Sequence, residues 1–308
     1  MKKILPEGYK FRTDENKSFL SSAEALKKAC ALGETVEARA ILCDKEHNLH
    51  VDLGVMKGII PRSEGAIGID DGSVRDIALI SRVNKIVAFK ILRFETDENL
   101  NTYAVLSRKA AQLECQDTYI ATLRPGDVID ARVTHMESFG VFADIGAGIS
   151  ALLPIDSISI SRIPHPRARF NVNQDIKAIV KSIDEYGRVT LTHKELLGTW
   201  EENAERFSVG ETVPGIVRSV ESFGIFVELT PNLAGLAEVT SSVEADYFAS
   251  VYIKSILPDK MKIKLIIVDA FPQNNTEVPP LKYYTNSERI DYWRYSPDSC
   301  EKIIESNF

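Results

Sequence analysis

The chain has 308 residues, enough for two or three small domains. Its formal net charge of −7 argues against a protein that grips nucleic acid through bulk positive charge. No run of 18 or more apolar residues is long enough for a membrane-crossing helix, so no membrane association is expected.

The lead, residues 1–32, opens Met1-Lys2-Lys3-Ile4-Leu5-Pro6, which lacks the apolar core of a signal peptide. The four cysteines, Cys30, Cys43, Cys115 and Cys300, are widely spaced, which fits reduced thiols in a cytoplasmic protein rather than a disulfide framework. A helix is expected over 18–31, with Ser21 or Ser22 as N-cap and Gly33 just past its end. A segment at 33–110 then opens on Gly33-Glu34-Thr35-Val36, a string that returns as Gly126-Asp127-Val128-Ile129 and Gly210-Glu211-Thr212-Val213. Leu106, Ala110 and Leu113 repeat at helical spacing after it.

The strongest signal is an internal repeat. Glu137-Ser138-Phe139-Gly140-Val141-Phe142-Ala143-Asp144-Ile145 is echoed by Glu221-Ser222-Phe223-Gly224-Ile225-Phe226-Val227-Glu228-Leu229, 84 residues later, a spacing suited to a small domain used twice. The segments are 123–196 and 207–271, joined by a helical stretch with Leu196, Leu197, Trp200, Ala204 and Phe207 on its apolar stripe, where Trp200 reads as packing. Alternation of Ile225, Val227 and Leu229 with Phe226 and Glu228 predicts a strand with one buried face. Phe226 then shares the wet face with Glu228, as Phe142 does with Asp144. Phe139 and Phe223 would point inward on an unbroken strand. A bulge at Gly140 and Gly224 would bring both rings to one outer platform; the alternative is that the first ring of each pair is core.

Exposed aromatics beside cations suit unpaired bases, each of which has a face to stack. Arg162, Arg167, Arg169, Lys181 and Arg188 follow the first pair; Lys254, Lys262 and Lys264 follow the second. The 123–198 stretch balances nine basic against nine acidic residues, whereas 207–270 carries five against eight. Binding should therefore depend on stacking and local patches rather than on bulk charge.

These residues resemble the S1 RNA-binding domain family. The pattern is Gly126, Val133, Phe139-Gly140-Val141-Phe142, Leu152-Leu153-Pro154, His165-Pro166 and Asp184-Glu185-Tyr186-Gly187-Arg188-Val189-Thr190-Leu191. The second window matches with Gly210, Val217, Phe223-Gly224-Ile225-Phe226, Gly235-Leu236-Ala237 and Lys262-Ile263-Lys264-Leu265. The resemblance implies an all-β chain of tandem five-stranded OB-fold barrels joined by short helices, with a short N-terminal helix and an irregular C-terminal tail. It implies single-stranded RNA binding, with Phe139, Phe142, Asp184 and Arg188 lining one site and Phe223, Phe226 and Lys262 the next. His165, Arg167, Arg169 and Lys181 in the first of these barrels and Lys254 in the second are further candidate RNA contacts. The Asp184–Arg188 turn becomes Leu257-Pro258-Asp259-Lys260-Met261-Lys262 in the last copy, so the second site is expected to bind differently.

The first copy is eroded: His47-Asn48-Leu49-His50-Val51-Asp52-Leu53-Gly54 aligns with 139–146, with histidine at both phenylalanine positions. Cys43, His47 and His50 lack a second Cys or His pair to complete a tetrahedral metal set, so neither metal nor cofactor is expected. The tail, 272–308, carries Pro272, Pro279, Pro280 and Pro297 with Tyr283, Tyr284, Tyr292, Trp293 and Tyr295, too aromatic for disorder and expected to wrap onto a barrel. The sequence has no nucleophile–base pattern or phosphate loop, so it reads as a non-enzymatic, monomeric protein that binds single-stranded mRNA at or near the small ribosomal subunit. The alternative is an adaptor whose barrels dock a ribonuclease or the ribosome.

Overall fold

The computed structural model describes residues 3–240, 243–272 and 281–308, so Pro279 and Pro280 of the expected tail lie outside the described residues. The chain forms two compact units. One runs from the N-terminal lead to Leu123 and includes Asp144–Ser150; the other holds Arg124–Ala143 and Ala151–Phe308.

The first unit begins with two helices, α1 (Asp14–Leu20) and α2 (Ala23–Leu32), where the sequence suggests one. Thr13 and Ser22 each cap a helix by accepting a backbone N–H, from Asn16 and Ala25, and Gly33 ends α2 in the left-handed region. Buried Asn16 exchanges two 2.8 Å hydrogen bonds with the Glu37 backbone and so ties the lead to the first barrel. That barrel closes from β1 (Thr35–Cys43), β2 (Leu49–Asp52), β3 (Lys57–Ile60), β4 (Ile86–Thr96) and β5 (Thr102–Ser107) in the order β1-β2-β3-β5-β4. Only the β3–β5 pairing is parallel. Val36, Leu49, Val51, Phe89 and Leu106 fill it. A single turn of helix, α3 (Ile77–Ile80), precedes β4.

Helix α4 (Arg108–Thr118) follows, but its buried face is Arg108, Ala111, Gln112 and Cys115; Leu113, expected on the stripe, is exposed. The register turns because Arg108 is drawn inward to Glu7, 2.6 Å from Nε to Oε1 and 3.0 Å from Nη2 to Oε2. Burial alone would raise the Glu7 pKa, but Arg108, helped by Arg82, holds it below the usual carboxylate range. Asp144, expected on a wet face, is buried in this unit instead. Its carboxylate accepts the N–H groups of Glu7 at 2.8 Å, Gly146 at 2.8 Å and Gly148 at 3.0 Å, and burial pushes its pKa up to about 6. Gly148, at φ +79°, is required because a Cβ there would overlap the Arg108 guanidinium.

The second barrel closes from β6 (Val128–Glu137), β7 (Gly140–Asp144), β8 (Ser150–Pro154), β9 (Asp175–Ile183) and β10 (Val189–Thr192), all of whose residues but Asp144 and Ser150 fall in the second unit. Helix α5 (Trp200–Ala204), with a Thr199–Glu202 capping box, leads to the third. That barrel closes from β11 (Thr212–Glu221), β12 (Gly224–Thr230), β13 (Leu233–Ala237), β14 (Phe248–Leu257) and β15 (Lys262–Phe271). All three barrels share one strand order. The tail ends in a two-stranded ribbon, β16 (Tyr292–Arg294) and β17 (Glu305–Asn307). Its Trp293 and Tyr295 join Trp200 in the third barrel's core, while Ile290 N–H donates to Gly126 O at 2.9 Å beside the second barrel's first strand. Asn232, fully buried, donates to Lys194 O and Gly198 O and accepts from Ile160 N–H, which pins the β12–β13 turn to the second barrel.

Glu37 is 2% exposed, and its Oε2 has no hydrogen-bond partner among the described residues. Burial pushes its pKa up to about 7. The folded state keeps a proton that the unfolded chain releases near the ordinary glutamate value, so stability falls as pH rises through that interval. Glu37→Gln should therefore leave stability near wild type at pH 4.5 and gain about 3 kcal/mol above pH 7 in urea unfolding. An equal effect at both pH values would mean that Glu37 is ionised in the folded protein.

Candidate nucleic-acid interface

Ser138-Phe139 joins β6 to β7, and Ser222-Phe223 joins β11 to β12, as two-residue hairpin turns. Phe139 and Phe223 therefore sit at hairpin tips and escape the alternation of the strand that follows. They are 55% and 69% exposed, which removes the core alternative for them. At Gly224 the expected bulge is absent, since Glu221 pairs with Gly224 and Val220 with Ile225 in unbroken register. The register shift lies in the preceding strand, between Val217 and Ser219, where Ser219 pairs with Phe226, and the first barrel shifts in the same way between Ala40 and Leu42. The glycines serve strand approach: a Cβ on Gly140 would lie 2.6 Å from Leu153 O, and one on Gly224 would lie 2.9 Å from Ala237 O.

On β12, Ile225 and Val227 are buried and Phe226 is half-buried on the opposite face; on β7, Val141 and Ala143 flank half-buried Phe142 in the same way. The two pairs are nearly superposable in geometry. Phe139 and Phe142 have centroids 6.0 Å apart and planes at 89°; Phe223 and Phe226 have 6.1 Å and 85°. A third ring joins the second barrel's pair. His135 lies 6.3 Å from Phe142 with planes at 25°, and its Nε2 is 2.6 Å from Glu137. Counting back by two from exposed Glu137 would have placed His135 outward, a signal that its isolation in the sequence hid.

The cations divide into two groups. Asp184 organises its turn: it accepts the N–H of Tyr186 at 3.0 Å and of Arg188 at 2.8 Å, and these bonds hold its carboxyl below the usual range. The exposed Arg188 guanidinium lies 2.6 Å from Asp184 and 5.2 Å from the centre of the Tyr186 ring. Arg167 is exposed, and its N–H donates to Nδ1 of His165, which caps the short turn Pro166–Ala168. Lys181 reaches Ser157 Oγ at 3.3 Å, and Lys254 and Lys262 project from the third barrel with no ion pair among the described residues.

Arg169 does not belong to this surface. It is 3% exposed, and its Nη2 lies 2.5 Å from Glu228 Oε2, which also receives Arg218 Nε at 2.8 Å. Glu228, expected on the wet face beside Phe226, is buried because these two guanidinium groups cover that end of β12. In the first barrel, His50 pairs with Leu42 and Ile59 across the sheet, the place that Phe226 holds in the third, and its Nε2 is 3.0 Å from Asp44. His47, in the 44–48 turn at φ +63°, faces Asp76 at 3.7 Å. Among the described residues no group of histidine, cysteine and carboxylate side chains could hold a metal ion.

Closed five-stranded barrels of one topology, two of them presenting a paired aromatic surface at the first hairpin, define a tandem OB-fold protein. Residues 122–194 match the S1 RNA binding domain. The chain belongs to this S1 family. Its relatives include the small ribosomal subunit protein bS1 of Staphylococcus aureus strain COL, 31% identical over 214 residues that cover 67% of this chain and 51% of that one. A bS1 homolog of Bacillus cereus is 30% identical over 261 residues, 79% of this chain and 65% of its own. The chain thus spans about half the length of the first of these relatives.

Removing the charge of Glu228 would leave two buried guanidinium groups facing each other. Glu228→Gln should cost about 3–5 kcal/mol in urea unfolding, the range for breaking a buried pair from one side. A loss comparable to that of an exposed ion pair would show that water reaches this site.

Proposed function

We propose that the chain binds single-stranded RNA, chiefly through the outer face of the second barrel, and does so on messenger RNA at the small ribosomal subunit. The observation that carries this reading is the ring cluster Phe139–Phe142–His135, which offers stacking faces at a hairpin tip of a barrel that also exposes Arg188 and Arg167. Unpaired bases stack on such faces without needing a sequence, and the guanidinium groups meet the backbone phosphates. A duplex hides its base faces and would gain little from exposed rings. The S1 match over 122–194 supports assigning the activity to this barrel, and the names of the relatives support the ribosomal setting. The first barrel, with histidines held by Asp44 and Asp76, is given no share in base stacking.

Fluorescence anisotropy with short RNA and DNA single strands tests the reading. Phe139→Ala should weaken RNA binding roughly 5- to 150-fold, the equivalent of one lost base stack, and leave Tm unchanged because the ring is exposed. Arg188→Ala should lower the slope of log K against log salt by about 0.7. Unchanged affinity in the first variant together with an unchanged slope in the second would remove this face from the function.

A further inference from the structure

A groove of about 840 Å³ opens beside Phe223 and Phe226, and three parts of the second unit build it. The third barrel supplies the two rings and Lys262 at the start of β15; the loop after β8 in the second barrel supplies Arg162; the tail supplies Lys302. Buried Trp200 and Tyr295 also contribute to its lining. We infer that this groove is a second, composite site for a short stretch of single-stranded RNA, completed by the neighbouring barrel and by the tail. Bases stack on Phe223 and Phe226, and phosphates lie against Arg162, Lys262 and Lys302. This rests on the RNA reading of the second barrel but assigns residues that the S1 pattern lacks.

The second barrel carries its outward arginine on the Asp184 turn; the third replaces that turn by Leu257–Lys262, with Met261 in the left-handed region at φ +48°. Its own Arg218 is committed to Glu228 and Asp246. Yet Arg162, Lys260, Lys262 and Lys302 all line the groove, are exposed, and make no ion pair among the described residues. Four uncommitted cations against one lining carboxylate, Glu221, give the groove a positive wall on a barrel whose sequence is acidic. The cavity is within the range of about 300–1,000 Å³ typical of small-molecule sites, room for a nucleotide or two.

The tail is held firmly enough to present its lysine. Tyr295 N–H donates to Ile304 O at 2.9 Å, Ile304 N–H to Ser296 Oγ at 2.8 Å, and Tyr295 OH to Asn232 O at 2.5 Å. Lys302 therefore stands on a loop closed at both ends, and Arg162 follows Ser161, whose N–H is bonded to Pro231 O at 3.1 Å. The backbone that carries both cations is thus anchored to the third barrel before any ligand arrives, which reduces the ordering cost of binding.

The test uses the full chain and a labelled oligouridylate in anisotropy titrations. A Phe139→Ala/Arg188→Ala background silences the first site and should leave residual binding. In that background Lys302→Ala and Arg162→Ala should each weaken binding about 3- to 10-fold and lower the salt slope by about 0.7, with Tm unchanged, and Lys302→Arg should restore affinity. Residual binding that responds to Phe223→Ala but not to Lys302→Ala or Arg162→Ala would overturn the composite site and leave an ordinary barrel face. No residual binding would mean that the groove takes no RNA and would overturn the site. Effects of Lys302→Ala without any effect of Phe139→Ala would sink the second-barrel reading and keep this one; a wild-type chain that binds no strand would sink both.

Discussion

Glu228 is the charge on which the second unit turns. Two guanidinium groups, one from each of two barrels, converge on a single buried carboxylate. A buried ion triad is a poor source of net stability, because desolvation consumes most of the attraction. What it supplies is definition: Arg169 can satisfy its charge only with the third barrel in one place. Asn232, bonded to Lys194 O, Gly198 O and Ile160 N–H, repeats that constraint with neutral groups a few residues along the chain. The placement of Arg162 beside the Phe223 ring follows from this anchoring.

The three barrels show how one topology is tuned by its surface. Strand order and the position of the register shift in the first strand are shared by the first and third barrels. What varies is the hairpin. A two-residue turn holds a phenylalanine at the tip in the second and third barrels, whereas the first has a longer turn organised by Asp44, which accepts the N–H groups of Glu46 and Asn48. Asp184 organises the last turn of the second barrel in the same manner, and Asp97 that of the first. The aspartate that looks like a ligand contact in the sequence is thus explained as a turn former that sets where its neighbour points.

Much of the fold is legible in the sequence, since repeated alternation and turn signals at matched spacing are local. The failures share a cause. Asp144, Glu228 and Arg169 sit on positions that strand alternation or charge assigns to solvent, and each is buried by a partner distant in sequence: Glu7 by 137 residues, Arg169 and Glu228 by 59 from one another. Alternation reports which face of a strand is apolar, not whether something polar will cover the other face. The exposure of Phe139 and Phe223 is legible for a different reason from the one the pattern suggests, because a tight turn frees them where a bulge was expected. His135 is hidden in the sequence since its ring gains meaning only from Phe142 across the hairpin.

The near-perpendicular setting of each phenylalanine pair limits what shape of strand it can take. A base lying flat on Phe139 stands at almost a right angle to one lying flat on Phe142, and the same holds for Phe223 and Phe226. Consecutive bases that cover both rings cannot also lie flat on each other. A strand that prefers to stay stacked, as purine runs do, must break a stack to occupy the pair, whereas a limp pyrimidine run has little to break. The discrimination would come from the stiffness of the chain being held, with no hydrogen bond to any base edge.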